Sequence, residues 1–547
     1  MNGKSIEPNM VNYEETRRSF RLEVPDYFNF GSDVVDKWAE ARTKVALIAV
    51  DPSGENPRTF TFWDIKNLSN RFANVLKKHG AEKGDLAFIM LPRIPEWHIC
   101  MVGMFKLGVI PIPSTILLTP RDIEYRINRA EAKIVITDVE NASKIEEIRK
   151  KCPSLKTLIV LGGERNGWIS YEEEMKEASR RLDCVEKMRM EDTLLIYFTS
   201  GTEAYPKMVR HTQEYALAHI VTARFWQDLK PTDLHWTLSD TGWAKAAWGY
   251  LFGQWIIGTA VFQWNMKGKF NPEMVLELLE KYGITVFCAP PTVYRMLVRE
   301  NLEKYDFSEL RHCVSAGEPL NPEVIRIWRE KTGIAIHDGY GQTETVNVIA
   351  NYRCMRLKPG SMGKPAPGWD VAIVDDDGNP LPPNTEGHIA IRVKPKRPIG
   401  LFAEYWKDPK GTSSRFRGEW YFTGDKAYVD EEGYFWFIGR ADDVIKSSGY
   451  RISPFEVESA LIEHPAVLEA AVIGVPDDIR GQIVKAFIVL SKDYQPSEEL
   501  IEELQNHVKR VTAPYKYPRK IEFVKALPKT ISGKIRRKAL RMREIKK

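Results

Sequence analysis

Short apolar segments bounded by polar residues recur along the first 300 residues of the chain. Runs of this length, rich in β-branched and aromatic residues, are typical of buried β-strands. They lie at residues 85–91, 133–137, 157–161, 194–198 and 284–289. Between them lie segments with helical spacing, such as residues 68–80 and 273–283, and each of these two ends on a glycine, which suits a helix C-terminus. This alternation predicts mainly parallel sheets covered by helices.

From about residue 360 the pattern changes to short strand-like segments separated by Asp-Gly and Asn-Pro turns, which favour antiparallel hairpins. After GRADD (439–443), two helical and three strand-like segments predict a compact α+β unit. The sequence therefore predicts an α/β protein with two domains. The large N-terminal domain covers residues 1–441 and includes a small β-rich subdomain at about residues 360–438. The small α+β C-terminal domain covers residues 442–547.

Residues 246–262 form a nearly apolar stretch that contains Gly249 and Gly253, spaced as in contacts between membrane helices. The stretch is shorter than the roughly 20 residues that span a bilayer, and Gln254 lies near its centre. We interpret it as a buried helix or the wall of a pocket. A membrane segment is the less favoured alternative.

Composition narrows the class of protein. A chain of 547 residues is too long for one ordinary core, and 43% hydrophobic with 28% charged residues fits a globular enzyme. The 79 basic and 74 acidic residues balance too evenly for a dedicated nucleic-acid binder. We expect neither a nucleic-acid partner nor a membrane span, and composition leaves a homo-oligomer open.

The cysteines and the N-terminal residues bear on the compartment. The six cysteines are widely spaced and form no CxxC pair, which fits reduced thiols in a cytosolic protein. Residues 1–20 mix both charge signs, lack the apolar core of a secretory signal peptide and contain acidic residues, unlike most transit peptides. These features predict a cytoplasmic protein.

The strand-like segment 194–198 runs into TSGTEAYPK, residues 199–207. Its hydroxyl groups, a glycine that permits close backbone approach and a lysine can cradle phosphate oxygens. The residues concerned are Thr199, Ser200, Gly201, Thr202 and Lys207. The spacing differs from that of a Walker loop. Taken alone, the segment fits a polar turn after a strand equally well.

Four further motifs follow in order: YGQTE at 340–344, YFTGD at 421–425, GRADDVIKSSGYRI at 439–452 and PKTISGKIRR at 528–537. With the loop at 199–207, this order resembles the acyl- and aryl-adenylate-forming enzymes over roughly residues 25–540. SDTGW at 239–243 and YRI at 450–452 are closest to medium-chain acyl-CoA synthetases.

The resemblance implies an AMP-forming acid–CoA ligase that uses ATP, Mg²⁺ and CoA. A carboxylic acid and ATP would give acyl-AMP and pyrophosphate, and acyl-AMP and CoA would then give acyl-CoA and AMP. The small-molecule acid, ATP and CoA would be its partners.

The resemblance also implies roles for single residues in the first step. Lys534, after Ser532 and Gly533, would place its ammonium group between the acyl carboxylate and the α-phosphate. Glu344 would hold magnesium, and Asp425 would accept hydrogen bonds from the ribose hydroxyls. The remaining nucleotide-binding positions, for the adenine, the phosphates and the ribose, are Gly317, Glu318, Pro319, Asp338, Gly339, Tyr340, Gly341, Gln342, Thr343 and Arg440.

For the second step, the resemblance implies a mobile C-terminal domain that rotates about a hinge at Asp442 to bring another face to the site. Ser448, Gly449, Tyr450 and Arg451 would line the path of the CoA thiol arm. Arg480, Lys509 and Arg519 are candidates for the CoA phosphates, although solvated surface charges are an equal alternative for these three.

The acyl pocket is expected at Gly341. In acetate-activating relatives a tryptophan occupies the matching position and shortens the pocket, so glycine implies room for a longer or bulkier acid. Trp243 and Trp248 would cap that room, unless they belong to the ordinary core. We therefore predict a medium-chain, branched or aromatic acid.

The phosphate loop departs from the family pattern TSGTTGxPK, because Glu203 and Ala204 replace a hydroxyl residue and a glycine. A carboxylate near the phosphates would repel them, so we expect weaker ATP binding. Two alternative functions stay open. One is an adenylating enzyme that loads a separate carrier protein, and the other is a nucleotide-binding relative without turnover.

Overall fold

The computed structural model describes residues 6–199, 206–441, 443–448, 450–530 and 534–545, apart from the side chains of Arg451 and Ile545. Ser200, Gly201, Thr202, Gly449 and Asp442, which the sequence singles out, lie outside the described residues, as do Glu203 and Ala204. The predicted α/β architecture is confirmed by the sheets below.

The largest sheet in the described part of the chain has nine strands. Its six inner strands are parallel and its outer strands antiparallel. In spatial order the strands are Lys364–Pro365, Asn347–Ala350, Ile336–Gly341, His312–Ala316, Val286–Ala289, Leu234–Thr237, Ala260–Trp264, Val45–Val50 and Arg58–Thr61. The carboxyl ends of parallel strands meet at one edge of a sheet, which is where open α/β proteins bind ligands.

Two further sheets complete the α/β part. One is parallel throughout, with the strands Ile110–Pro113, Leu86–Met90, Ile134–Asp138, Thr157–Leu161 and Ile169–Ser170. The other is antiparallel, with the strands Glu404–Tyr405, Met208–Thr212 and Thr193–Phe198. The predicted phosphate loop connects the last two of these strands.

Helices cover the sheets, and their ends follow local sequence signals. Thr61 and Asp64 form a capping box at the start of the helix Phe62–Lys78, and Gly108 adopts φ 66° at the end of Pro95–Leu107. The other α-helices before residue 440 are Tyr13–Ser19, Pro120–Ala130, Val139–Ile148, Tyr171–Glu177, Gln213–Val221, Ala244–Tyr250, Phe252–Ile257, Pro272–Lys281, Pro291–Leu297, Pro322–Thr332 and Pro409–Ser413. Shorter 3₁₀ and π turns occur at Gly31–Asp36, Arg149–Lys151, Thr222–Trp226, Leu302–Lys304 and Pro514–Lys516.

The segment expected to be β-rich forms an antiparallel sheet with the strands Val371–Val374, Gly387–Arg392, Trp420–Val429, Phe416–Arg417 and Phe435–Arg440. Its inward side chains, among them Ile373, Ile389 and Tyr421, belong to the same hydrophobic cluster as the helices of the large domain. The sheet therefore packs on the large domain as a subdomain.

The residues after 444 form a sheet of their own. Its strands are Tyr450–Ile452, Ile445–Ser447, Gly481–Leu490, Val467–Asp477 and Lys520–Phe523. Alternate residues of Val467–Asp477 pack on opposite faces, with Ala470 and Val472 against the helices Pro454–Ile462 and Glu498–Val511, and Ala471 and Ile473 against Leu540 of the helix Arg537–Ile545. This small domain has its own core, while the boundary at residue 442 stays a prediction.

The apolar stretch 246–262 is buried in the large domain as two short helices and the start of a strand. Gln254, its central polar residue, is fully buried and donates to the Gln227 side chain at 2.6 Å. Within the described residues, no helix is both long and apolar enough to cross a membrane. The interpretation as a buried wall is confirmed, although a break at Leu251 divides the predicted helix.

Candidate active site

The two residues that flank the phosphate loop lie side by side. The backbone N–H of Thr199 donates to the carbonyl of Lys207 at 2.9 Å, which closes the base of the loop. The Lys207 ammonium group lies 4.7 Å from the centre of the Tyr405 ring. This lysine is therefore held at the loop by a cation–π contact with an aromatic residue from a neighbouring strand.

Asp425 is the centre of a buried hydrogen-bond network. Its carboxylate, 5% exposed, accepts hydrogen bonds from the Tyr340 hydroxyl at 2.6 Å and the Gln342 amide at 2.7 Å. Arg440, its register partner on the adjacent strand, has its Nε 3.5 Å from the other carboxylate oxygen. Residues of three separate sequence motifs thus converge on one carboxylate, which still has lone pairs for further donors.

Glu344 is fixed from two sides. The Tyr405 hydroxyl donates to its Oε1 at 2.7 Å, and the backbone N–H of Phe402 donates to its carbonyl at 2.7 Å. Its Oε2 accepts no hydrogen bond from the residues that the structure describes. One carboxylate with a free oxygen suits magnesium, which binds through one or two carboxylates together with substrate phosphates. The residue present therefore fits the predicted metal.

The backbone of the same motif is held from behind by His211. Its Nε2 lies 2.7 Å from the carbonyl oxygen of Thr343. Burial lowers the pKa of His211 to about 3, so the ring is neutral and its Nε2–H is the donor. The Tyr215 ring stacks on this imidazole at 3.7 Å between centroids.

Sequence reasoning missed both His211 and Tyr405. They lie on the antiparallel strands Met208–Thr212 and Glu404–Tyr405, which pair with each other although 190 residues separate them along the chain. A histidine four residues after Lys207 is the one local signal, and it is too common to indicate a role.

Asp338 lies within the strand Ile336–Gly341, and Gly317 follows the last residue of its parallel neighbour His312–Ala316. The Asp338 carboxylate, 4% exposed, accepts from the backbone N–H of Gly339 at 3.0 Å and of Leu320 at 3.4 Å. Burial raises the pKa of Asp338 to about 7. Gly317 has φ +114°, a conformation that favours glycine, and the adjacent Glu318 lies 3.5 Å from Arg295. The two predicted adenine segments are therefore brought together.

Lys245 lies next to the Gly317 segment and adds a lysine to the site besides the predicted Lys534. Sequence reasoning missed it. Its ammonium group donates to the carbonyl of Ala316, at the end of the strand that leads to Gly317. Burial lowers the pKa of Lys245, and the positive charge of Lys534 lowers it further. Two lysines from different domains thus approach one place. The available signal in the sequence was a cation, Lys245 itself, immediately before the apolar stretch 246–262.

Lys534 lies on the return arm of a hairpin. The backbone N–H of Thr530 donates to the carbonyl of Lys534 at 2.7 Å, and the N–H of Lys534 donates to the Thr530 hydroxyl at 3.1 Å. Residues 531–533 between them are outside the described ranges. Lys534 is exposed and approaches Lys245, so the small domain presents it to the end of the parallel sheet.

The CoA candidates lie on the small domain. Ser448, with φ 50°, donates its backbone N–H to the carbonyl of Arg480 at 3.0 Å. Tyr450 is 52% exposed and stacks on Tyr515 at 4.3 Å between ring centroids. Lys509 and Arg519 both lie over the Tyr517 ring, at 4.4 and 4.9 Å. These cations and aromatic rings are neighbours, and Tyr515 and Tyr517 are additions that sequence reasoning missed.

The acyl-pocket candidates have mixed surroundings. A Cβ atom on Gly341 would overlap the carbonyl oxygen of Val346, so glycine is required here by close backbone approach as well. Trp248 is 5% exposed, contacts Trp226 at 6.1 Å between ring centroids, and has no hydrogen-bond partner for its indole N–H among the described residues. Trp243 is half-buried and precedes the helix Ala244–Tyr250.

Comparison with known proteins agrees with this geometry. Residues 35–406 match the model of the AMP-binding enzyme family, and residues 456–534 match that of the AMP-binding enzyme C-terminal domain. The chain is 49% identical to the mitochondrial acyl-coenzyme A synthetase ACSM3 of Homo sapiens, over 98% of this chain and 93% of that protein. It is 48% identical to human ACSM4, over 98% of this chain and 93% of that protein.

Solved structures are similar as well. The anthranilate CoA ligase AuaEII, solved with anthranoyl-AMP, has a TM-score of 0.88 and 33% identity over 95% of this chain and 98% of its own. The acyl-CoA synthetase of Brucella canis has a TM-score of 0.76 and 34% identity over 98% of this chain and 99% of its own.

One prediction is corrected by these relatives. ACSM3 and ACSM4 are mitochondrial proteins, which contradicts the predicted cytoplasmic location. Isolated reduced thiols were the main reason for that prediction. They occur in any reducing compartment, so they do not single out the cytoplasm.

Proposed function

This chain belongs to the AMP-binding enzyme family and is an acid–CoA ligase, and from that premise we propose how its residues divide the two half-reactions. The observation that carries the proposal is that Lys534, from the small domain, lies near enough for its charge to act on Lys245, whose ammonium group donates to Ala316 at the end of a parallel strand. Positive charge is needed where a carboxylate meets a phosphate, and this arrangement supplies it from two directions.

In the first half-reaction, a carboxylate oxygen of the acid attacks the α-phosphorus of ATP, and the bond from that phosphorus to pyrophosphate breaks. Lys534 stabilises the charge that develops between the two anions. Asp425 holds the ribose hydroxyls, while Lys207 and the loop at 199–207 hold the phosphates. Glu344 would hold magnesium, which would supply positive charge for the phosphates.

In the second half-reaction, the thiol sulfur of CoA attacks the acyl carbon, and AMP leaves with the electron pair of the broken acyl–oxygen bond. Lys534 has no task in this step. We propose that rotation at Asp442 withdraws it and brings the segment Ser448–Arg451 to the cleft. Arg480, Lys509 and Arg519 then bind the CoA phosphates, and the position of Lys509 and Arg519 over the Tyr517 ring supports this role for those two.

The acid is the finer part of the proposal. We propose a medium-chain, branched or aromatic acid. The similarity to an anthranilate CoA ligase and to medium-chain-type synthetases supports this range, as does the absence of a side chain at Gly341. The half-buried Trp243 and the buried Trp248 limit the depth of the pocket.

A panel of acids with ATP, Mg²⁺ and CoA, followed by AMP release, tests the proposal. We expect turnover with some C4–C10 or aromatic acids and slow turnover with acetate. Fast turnover with acetate and none with the longer acids would refute the proposed acid class. Product analysis with CoA and with a pantetheine-bearing carrier protein in parallel identifies the acceptor. Acid-dependent exchange of pyrophosphate into ATP without Mg²⁺ would remove Glu344 from its proposed role.

A further inference from the structure

Arg537 lies three residues after Lys534, at the first position of the helix Arg537–Ile545. Its guanidinium group binds both carboxylate oxygens of Glu458. Nη2 lies 2.6 Å from Oε2 and 2.8 Å from Oε1, and Nε lies 3.2 Å from Oε1. The Glu458 side chain is 6% exposed, and the Arg537 side chain is 22% exposed. A forked, largely buried ion pair of this kind fixes direction as well as distance.

The same cluster reaches the segment next to the predicted hinge. Arg537 Nη1 lies 3.9 Å from Asp443, and Arg541, one turn further along the helix, donates to the other oxygen of Asp443. Glu458 also accepts the backbone N–H of Val472 at 2.8 Å. Arg537 therefore joins the segment that follows Lys534 to Asp443, which we call the hinge segment. Through Glu458 it also joins that segment to the sheet of the small domain.

The hairpin that carries Lys534 is otherwise held mainly at its base. The backbone N–H of Arg536 donates to the carbonyl of Pro528 at 2.8 Å, and Ile535 packs against the cluster around Leu527 and Leu540. Lys534 itself is exposed. The position of its ammonium group therefore depends on how firmly residues 535–537 are anchored.

The charge of Arg537 also opposes those of two carboxylates from different domains, Glu458 and Glu318. Burial raises the pKa of Glu458, and the like charge of Glu318, in the nucleotide segment of the large domain, raises it further. Glu318 in turn interacts favourably with the charge of Arg537. Without the guanidinium group, the small domain would present a buried negative charge to Glu318 in the orientation seen here.

We infer that Arg537 is a positioning residue for acyl-AMP formation, because it anchors the Lys534 hairpin to Glu458 and Asp443. The inference rests on the proposed role of Lys534. In the second half-reaction Lys534 is not used, so the anchor has no effect there.

The test compares Arg537→Gln with Arg543→Gln, a matched change on the same helix. Arg543 is 47% exposed and pairs with Glu522, away from the hinge segment. Two rates are measured on each purified full-length variant, acid-dependent pyrophosphate exchange into ATP and thioester formation from supplied acyl-AMP. We expect Arg537→Gln to lower the first rate about tenfold or more, since small misplacements of a reacting group have effects of this size. The second rate should stay within about twofold of wild type.

Two further variants make the outcome decisive. Glu458→Gln should reproduce the selective loss, and Arg537→Gln added to Lys534→Ala should cause no further loss of exchange. Equal loss of both rates in Arg537→Gln, or the same selective loss in Arg543→Gln, would overturn the inference. If Lys534→Ala itself leaves exchange unchanged, the proposed role of Lys534 fails. If Lys534→Ala loses exchange while Arg537→Gln keeps it, the inference alone fails.

Discussion

Asp425 and Lys534 belong to different domains, and their surroundings differ. Asp425 is buried on a ten-residue strand, and Tyr340, Gln342 and Arg440 already contact its carboxylate. Lys534 is exposed on a hairpin whose tip, residues 531–533, is outside the described residues. Its described contacts are backbone hydrogen bonds to Thr530.

The difference fits the roles that we propose for the two residues. A ribose-binding carboxylate serves both half-reactions, so rigid preorganisation in a buried network is an advantage. A lysine that serves one half-reaction must arrive and leave, and a dense buried network around it would oppose that movement. Stability and motion are thus divided between the two domains, and four predictions test this division, beginning with the largest expected effect.

Acidification should destabilise the large domain, because its buried histidines are neutral. Burial lowers the pKa of each histidine in this group, while an unfolded histidine titrates near 6.5. The group is His98, His211, His219, His235 and His312. Unfolding therefore takes up protons below pH 6.5, so their contribution to stability is complete above that pH and is lost as the pH falls.

The contribution of Asp338 to the pH dependence of stability has the opposite sign. Its raised pKa of about 7 favours the folded state as the pH falls from 7 towards 4. Together, these five histidines and Asp338 should lower the free energy of unfolding by an amount on the order of 5 kcal/mol between pH 7.5 and 5.5. Denaturant unfolding of the full chain at the two pH values measures it. His219→Phe should reduce the loss by an amount on the order of 1 kcal/mol and raise stability at pH 7.5, since both ring nitrogens lack partners among the described residues. Equal stability at both pH values would contradict the argument.

Lys534→Ala should remove the exposed lysine of the small domain and leave the buried hydrogen-bond network of Asp425 intact. We expect acid-dependent pyrophosphate exchange to fall at least about a hundredfold, since a charge that stabilises the transition state is lost. Thioester formation from supplied acyl-AMP should persist, and AMP binding should not change. Comparable loss of both half-reactions would place Lys534 in the fixed part of the site instead.

Asp425→Ala should disrupt the buried hydrogen-bond network of the large domain. The change removes an acceptor and leaves the donors of Tyr340 and Gln342 without it, so we expect the KM for ATP to rise about tenfold or more. Both half-reactions need the bound nucleotide, so both should weaken, unlike the result for Lys534→Ala. Asp375→Ala, a change to a turn carboxylate in the β-rich subdomain, is the control. An unchanged KM would show that the network is structural only.

Arg299→Leu should produce the smallest effect, by loosening the orientation of the two domains. Arg299 donates to the carbonyl of Val467 in the small domain at 3.4 Å, a long hydrogen bond worth about 1 kcal/mol or less. We expect pyrophosphate exchange to fall about two- to fivefold and thioester formation to stay equal or rise. Arg326→Leu, which removes ion pairs within one exposed helix of the large domain, should change neither rate. A parallel fall in both rates would argue against an orientation effect.

Much of the architecture could be predicted because it depends on periodicity along the chain. The apolar runs predicted at residues 85–91, 133–137 and 157–161 correspond to the strands Leu86–Met90, Ile134–Asp138 and Thr157–Leu161 of the parallel sheet, and the helix Phe62–Lys78 ends just before Gly80, as its pattern indicates. The small domain was predicted for the same reason, since Val467–Asp477 and Gly481–Leu490 have strand periodicity. The break at Leu251 was not predicted, because the apolar pattern of residues 246–262 continues through it.

The sequence by itself determined the order of the motifs and the family they indicate, and it predicts that Lys534 belongs with them, because motif residues are read locally. Only the tertiary structure decided which other residues join them. Tyr405 and His211 hold the YGQTE motif, Lys245 meets Lys534, and Arg537 links that lysine to the hinge segment. Each of these contacts joins elements far apart in the chain, and their partners are chosen by strand pairing and domain packing, for which no local pattern exists.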